Sequence, residues 1–156
     1  MTYKYKDTIN SLLKSGNIKK CPIDYKVINS LIKRSIADIE TAQRNLEIDN
    51  DCSYNYAYNA ILHAGLALIE SRGFRPEIKE KHVTIVKFVN VIMGNNFTEL
   101  INNYDFMRRK RHILIYEPNF PCSKFESEQA IDTAIKLVNA TKKIIKENNT
   151  QLSFDF

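Results

Sequence analysis

The run Arg108-Arg109-Lys110-Arg111-His112 is the densest group of chemically active side chains in the chain. A guanidinium fork grips phosphate oxygens at two points, and an imidazole beside it moves protons near neutral pH. On a helix, steps of three and four residues return to the same side, so Arg108, Arg111, His112 and Ile115 share one face. Arg109 and Lys110 are expected to point elsewhere. The shared face suits a phosphodiester, with Arg108 and Arg111 on the phosphate and His112 on the proton. The plainer reading of a charge run is a solvated helix face without a ligand.

The other candidate residues are scattered. His63 lies among small residues and reads as a satisfied core or interface histidine. His82 follows Lys81 near a helix start and reads as solvent-exposed. Arg75, before Pro76, reads as the anchor of a loop through a salt bridge. Cys21, Cys52 and Cys122 are far apart and odd in number, which predicts reduced thiols and a cytoplasmic protein rather than a disulfide frame or a zinc site. GxGxxG, GxxxxGK[ST] and HExxH are all absent, so no cofactor and no metal are expected.

The elements that must position the basic run read as helices. A short one is expected over Thr8 to Lys14, followed by a loop between Gly16 and Pro22. Asp24 is a plausible N-cap for a second, in which Val27, Ile28, Leu31, Ile32, Ile36, Ile39, Ala42 and Leu46 recur at helical spacing. Ser53 is expected to cap a third, which runs to about Arg72 and ends at Gly73 and Pro76. Glu80 to Met93 is β-rich but lacks alternation, and fits a buried helix that Gly94 ends. Thr98 is expected to cap the helix that carries the basic run to about Tyr116. Ser123-Lys-Phe-Glu126 is a capping box opening the last helix, which passes Ile145 and frays at Asn148-Asn149.

The sum is an all-α, antiparallel bundle of four to five main helices over residues 1–148, with a tail at 149–156. Composition agrees. The 156 residues carry 44% hydrophobic and 26% charged side chains, which is globular and enough for one core. Four Gly and four Pro leave little room for the turns of an all-β fold. The formal charge of +5 permits a nucleic-acid partner without requiring one. No stretch approaches the length of a transmembrane helix, and the N-terminus lacks the apolar core of a signal peptide.

The segment MRRKRHILIYEP, preceded by a helix ending ALIESRGFRP, resembles the HEPN superfamily of all-α domains found in toxin–antitoxin and other defence systems. The resemblance spans roughly residues 8 to 147 in helix order and in the position of the polar motif. The family hallmark is an Arg, often followed by a polar residue, with four to six residues before a His. Active members pair two such motifs across a homodimer and cleave RNA without metal, the His moving protons and the Arg holding phosphate.

Here Arg111-His112 occupies the start of that motif, and Tyr116 stands where the closing His belongs. The positions five, six and seven before His112 hold Met107, Phe106 and Asp105, so no complete motif closes on His112 either. A phenol, with a reference pKa of about 10, is a poor base at neutral pH. The resemblance therefore implies an RNA- or nucleotide-binding face with Arg111, His112 and Tyr116 as its catalytic candidates. A metal-independent ribonuclease and a non-catalytic module that neutralises a cognate toxin or antitoxin both remain open.

Gln151-Leu152-Ser153-Phe154-Asp155-Phe156 ends the chain after a polar spacer. A terminal hexapeptide with three large apolar residues either folds back or binds something. It resembles the sliding-clamp-binding peptides of bacterial replication and repair proteins, through Gln151, Leu152, Phe154 and Phe156. That resemblance implies a clamp-tethered accessory factor in DNA metabolism. Docking of the tail on its own bundle or on a dimer mate is the alternative.

Overall fold

Asp24 and Asp49 start two helices by one device. Each sits in extended backbone, and its carboxylate accepts from first-turn amides, of Lys26 and Val27 in one case and of Cys52 in the other. The helices are α2 (Tyr25–Asn45) and α3 (Asn50–Glu70), and they form the central hairpin of a computed structural model that describes residues 3–154. Before them come α1 (Tyr3–Lys14) and β1 (Ile18–Lys20); after them come β2 (Phe74–Pro76), α4 (Lys81–Met93), α5 (Thr98–Tyr116) and α6 (Lys124–Asn148). The described residues thus form the all-α bundle that the periodicity predicts, and none of their helices is long and apolar enough to cross a membrane.

The centre is α3. Small and large apolar residues cover it on every side: Ala57, Tyr58, Ala60, Ile61, Ala64, Ala67, Leu68 and Ile69 are all fully buried. It packs against α2, α4, α5 and α6. Gly65 is needed where α4 crosses. A Cβ there would lie 2.5 Å from Ile85 Cγ2 and 3.3 Å from Val89 Cγ2, so any side chain would push the two helices apart.

Several expected boundaries move, each for a local reason. The first helix begins at Tyr3 rather than Thr8, because Tyr5 packs on the same core as Ile9 and Leu12. The loop expected after Gly16 contains β1, which pairs antiparallel with β2 through Ile18–Pro76, Lys19–Arg75 and Lys20–Phe74. Three-residue strands carry no readable period, and Pro76 is tolerated because a two-stranded ribbon has only edges. Ser53 does not cap α3. It lies one turn inside the helix, buried, and its hydroxyl donates to the Ala42 carbonyl at 2.8 Å. Thr98 is the first residue of α5, not its cap. Its hydroxyl donates to the carbonyl of Asn95, in a single 3-10 turn spanning Asn95–Phe97. The capping box at the head of α6 forms as read, with Ser123 and Glu126 each accepting from the other's amide.

The tail folds back. Leu152 is 3% exposed and belongs to the core, and Phe154 packs against it. Gln151 is exposed, and Phe156 lies outside the described residues.

Candidate nucleic-acid interface

Two helices bring the chemistry together. The second half of α5 carries Arg108, Arg109, Arg111 and His112, and the first turn of α4 carries His82. With Ile113 these side chains line one open cleft of about 590 Å³. The shared α5 face is therefore real for Arg108, Arg111 and His112. Arg109 corrects the helical-wheel expectation: its long side chain reaches back into the same cleft. Lys110 does point elsewhere, to Glu126 on α6 at 3.1 Å.

His82 is the second correction. It is half-buried, not a solvated bystander: its Nδ1 lies 2.6 Å from the hydroxyl of Tyr58 on α3, and the two rings are nearly parallel. Burial pushes the Tyr58 phenol up to about 12, so it stays protonated at neutral pH. Its only hydrogen-bond partner among the described residues is His82, and which of the two donates follows the imidazole tautomer. Either way Nδ1 is engaged, and Nε2 is the ring nitrogen left over. Burial, followed by the charges of Arg111, Lys81 and Arg108, holds His82 below the ordinary imidazole range.

The guanidinium of Arg111 sits 5.4 Å above the centre of the Tyr58 ring. A cation over an aromatic face is held without a counter-charge. Arg111 has no carboxylate partner among the described residues, and its buried Nε has no hydrogen bond. Among the described residues, Asp105 supplies the only ion-pairing carboxylate beside the cleft, and two arginines share it: Arg108 at 2.8 Å and Arg109 at 3.4 Å. Positive charge therefore exceeds negative charge in the cleft.

His112 lies 4.6 Å from the Tyr116 ring, centre to centre, in a tilted stack. Tyr116 is 66% exposed at the end of α5, near Ile113 and Ile115, which are also exposed. The structure thus brings together Arg108, Arg111 and His112, with Tyr116 beside His112. The tail residues Gln151, Leu152 and Phe154 are not among the cleft's lining residues. His82 and Tyr58 were missed by sequence reading. They lie 29 and 53 positions before Arg111, so no local spacing could report them.

The remaining histidine behaves as read. His63 Nδ1 is 2.7 Å from Asp38, a carboxylate only 1% exposed that also accepts from Arg34 at 3.1 Å. Arg75 makes the expected loop-anchoring pair, with Glu70 at 3.2 Å. Among the described residues, no group of three or more His, Cys, Asp or Glu side chains is placed to hold a metal ion.

A family comparison matches the HEPN domain over residues 28–145, from α2 to the last turns of α6. No curated protein and no solved structure gives a significant match to the chain.

Proposed function

The chain belongs to the HEPN family, and from that premise we propose that it binds the phosphodiester backbone of RNA in the α4–α5 cleft, as a component of a defence or toxin–antitoxin system. One observation carries the reading. The Arg111 guanidinium is fixed over Tyr58 and left without a carboxylate, in a cleft where Arg108, Arg109 and two imidazoles converge. Such a site gains most from a ligand that brings negative charge and bidentate acceptors. The exposed Tyr116 and Ile113 beside it favour a single strand, whose unpaired bases stack on such side chains.

Arg111, His112 and Tyr116 are the catalytic candidates, with Arg108 and Arg111 on the phosphate, acting in a homodimer without metal. The test is labelled single-stranded RNA incubated in EDTA with the wild type and with an Arg111→Ala, His112→Ala double variant. RNA binding by the wild type alone supports the site, and cleavage by the wild type alone supports a ribonuclease. Equal binding by both proteins refutes the cleft assignment.

A second reading is a non-catalytic module that binds a cognate toxin or antitoxin protein. Tyr116 in the closing position of the family motif favours it, and binding without cleavage would support it. The clamp-tethered reading has the burial of Leu152 against it. Use of the tail as a clamp peptide would require Leu152 to leave the core, at about 1.5–3 kcal/mol. Deleting residues 151–156 separates the two uses: a clamp peptide's loss removes clamp binding, whereas a docked tail's loss lowers stability.

A further inference from the structure

His82 lies outside the family motif and on a different helix from it, yet its ring lines the same cleft as Arg108, Arg111 and His112. Resting on the RNA-site reading above, we propose that His82 is the proton donor of a two-imidazole phosphodiester cleavage, in which His112 is the base.

Three features of the cleft assign the roles this way. First, the Tyr58 hydroxyl engages Nδ1, so the nitrogen left for a ligand is Nε2. A hydroxyl both donates and accepts, so Tyr58 can hold Nδ1 in the neutral ring and in the charged one. Second, His82 is faced by cations from two elements: Arg108 and Arg111 on α5, and Lys81 beside it on α4. Apart from Tyr58, the other titratable groups near it are Arg109 and His112 in the cleft and Asp105, which is engaged with Arg108 and Arg109. An imidazolium in that field gives its proton up readily, as a general acid must. A bound phosphodiester supplies the missing negative charge and returns the proton to the ring. Third, His112 stacks on the exposed Tyr116 and has no hydrogen bond among the described residues, which leaves its lone pair for a base.

The step balances within the substrate and these two rings. His112 takes the proton of the ribose 2′-hydroxyl as that oxygen bonds to phosphorus. The bond from phosphorus to the 5′-oxygen breaks, and that oxygen takes the proton from His82 Nε2. The products are a 2′,3′-cyclic phosphate and a 5′-hydroxyl, with Arg111 and Arg108 on the non-bridging oxygens.

The experiment uses the full chain in EDTA with three probes: a single-stranded RNA, the same strand with a 2′-deoxy nucleotide at the cleavage site, and the RNA with sulfur replacing the 5′-oxygen. A thiolate leaves without protonation, so it removes the need for a general acid. His82→Gln should cleave the ordinary RNA about a hundredfold more slowly or worse. It should bind the uncleavable strand within about threefold of the wild type, and cleave the sulfur-bridged RNA at nearly the wild-type rate. Tyr58→Phe, which keeps the ring and removes the hydrogen bond, should lose less. The alkaline limb of its pH profile should shift from the wild-type position, because Nδ1 loses its phenol partner.

Wild-type rates in His82→Gln overturn the assignment, as does failure of the sulfur-bridged RNA to rescue it. RNA binding with no cleavage by the wild type also overturns it, while leaving the binding reading intact. Absence of any RNA binding overturns the reading on which it rests. Circular dichroism of each variant separates these results from a failure to fold.

Discussion

Two histidines in this bundle occupy opposite electrostatic situations. At the α2–α3 seam, His63 faces a buried carboxylate, Asp38, which also holds Arg34. At the α4–α5 cleft, His82 faces a neutral phenol and a row of arginines, two of which share one acid. The residue types are the same: imidazole, guanidinium and helix neighbours. The difference is where the negative charge sits. The seam contains its own, so Arg34, His63 and Asp38 are paired with one another and serve the packing of two helices. The cleft leaves its cations under-compensated, which a folded chain tolerates only near water or where a ligand arrives.

Substitutions on the two sides should therefore report through different observables. The largest effect is expected at the seam. Asp38→Ala leaves Arg34 and His63 without their shared carboxylate and should cost about 3 kcal/mol, read as a fall in the urea midpoint. RNA affinity of the folded protein should be unchanged. A loss of RNA binding with full stability would reverse the contrast.

Next in size is Arg111→Ala. It should lower single-stranded RNA affinity about tenfold, or roughly 1.4 kcal/mol, in fluorescence anisotropy. Stability should move by less than about 1 kcal/mol, since only the contact with the Tyr58 ring is lost. The slope of log affinity against log salt should fall by about 0.7, the signature of one phosphate contact on a single strand. An unchanged slope would mean that Arg111 touches no phosphate.

The smallest effect is a pH slope. His82 is held below its reference value of 6.5 in the folded chain. Above 6.5 its contribution is fully present. As pH falls below 6.5 the unfolded chain takes up a proton that the folded chain resists, so stability declines until the folded value is passed. Urea melts at pH 7.5 and 5.5 should show a smaller acid loss for His82→Gln than for the wild type. Equal losses would mean that the cleft does not disfavour the imidazolium.

How much of this was legible before the structure depends on the distance over which each interaction acts. Helical period and caps are local, so α2, α4 and α6 read directly, and Asp24 and the Ser123–Glu126 box were identified from their neighbours alone. Ser53 and Thr98 misled because a hydroxyl near a helix start can serve the backbone of another element, as Ser53 does with Ala42. The β1–β2 ribbon escaped because three residues carry no period and the partner strand lies far along the chain, Lys19 pairing with Arg75 56 positions away. For the site, the arginine face was visible as charge density on one helix. Its aromatic seat and its second imidazole were not, because Tyr58, His82 and Arg111 meet only when α3, α4 and α5 are packed together.

Gly65 then acquires a meaning beyond packing. It stands seven residues after Tyr58, two turns along the same face of α3, where Ile85 and Val89 of α4 lie against it. The absent methyl group sets the gauge of the α3–α4 gap, and that gauge decides whether a phenol on one rail reaches an imidazole on the other. A change of a few tenths of an ångström at Gly65 would be felt first in the 2.6 Å contact between Tyr58 and His82, while the bundle itself stayed assembled. The residue with the least chemistry in the chain thus works as the tolerance on which the chemistry is built.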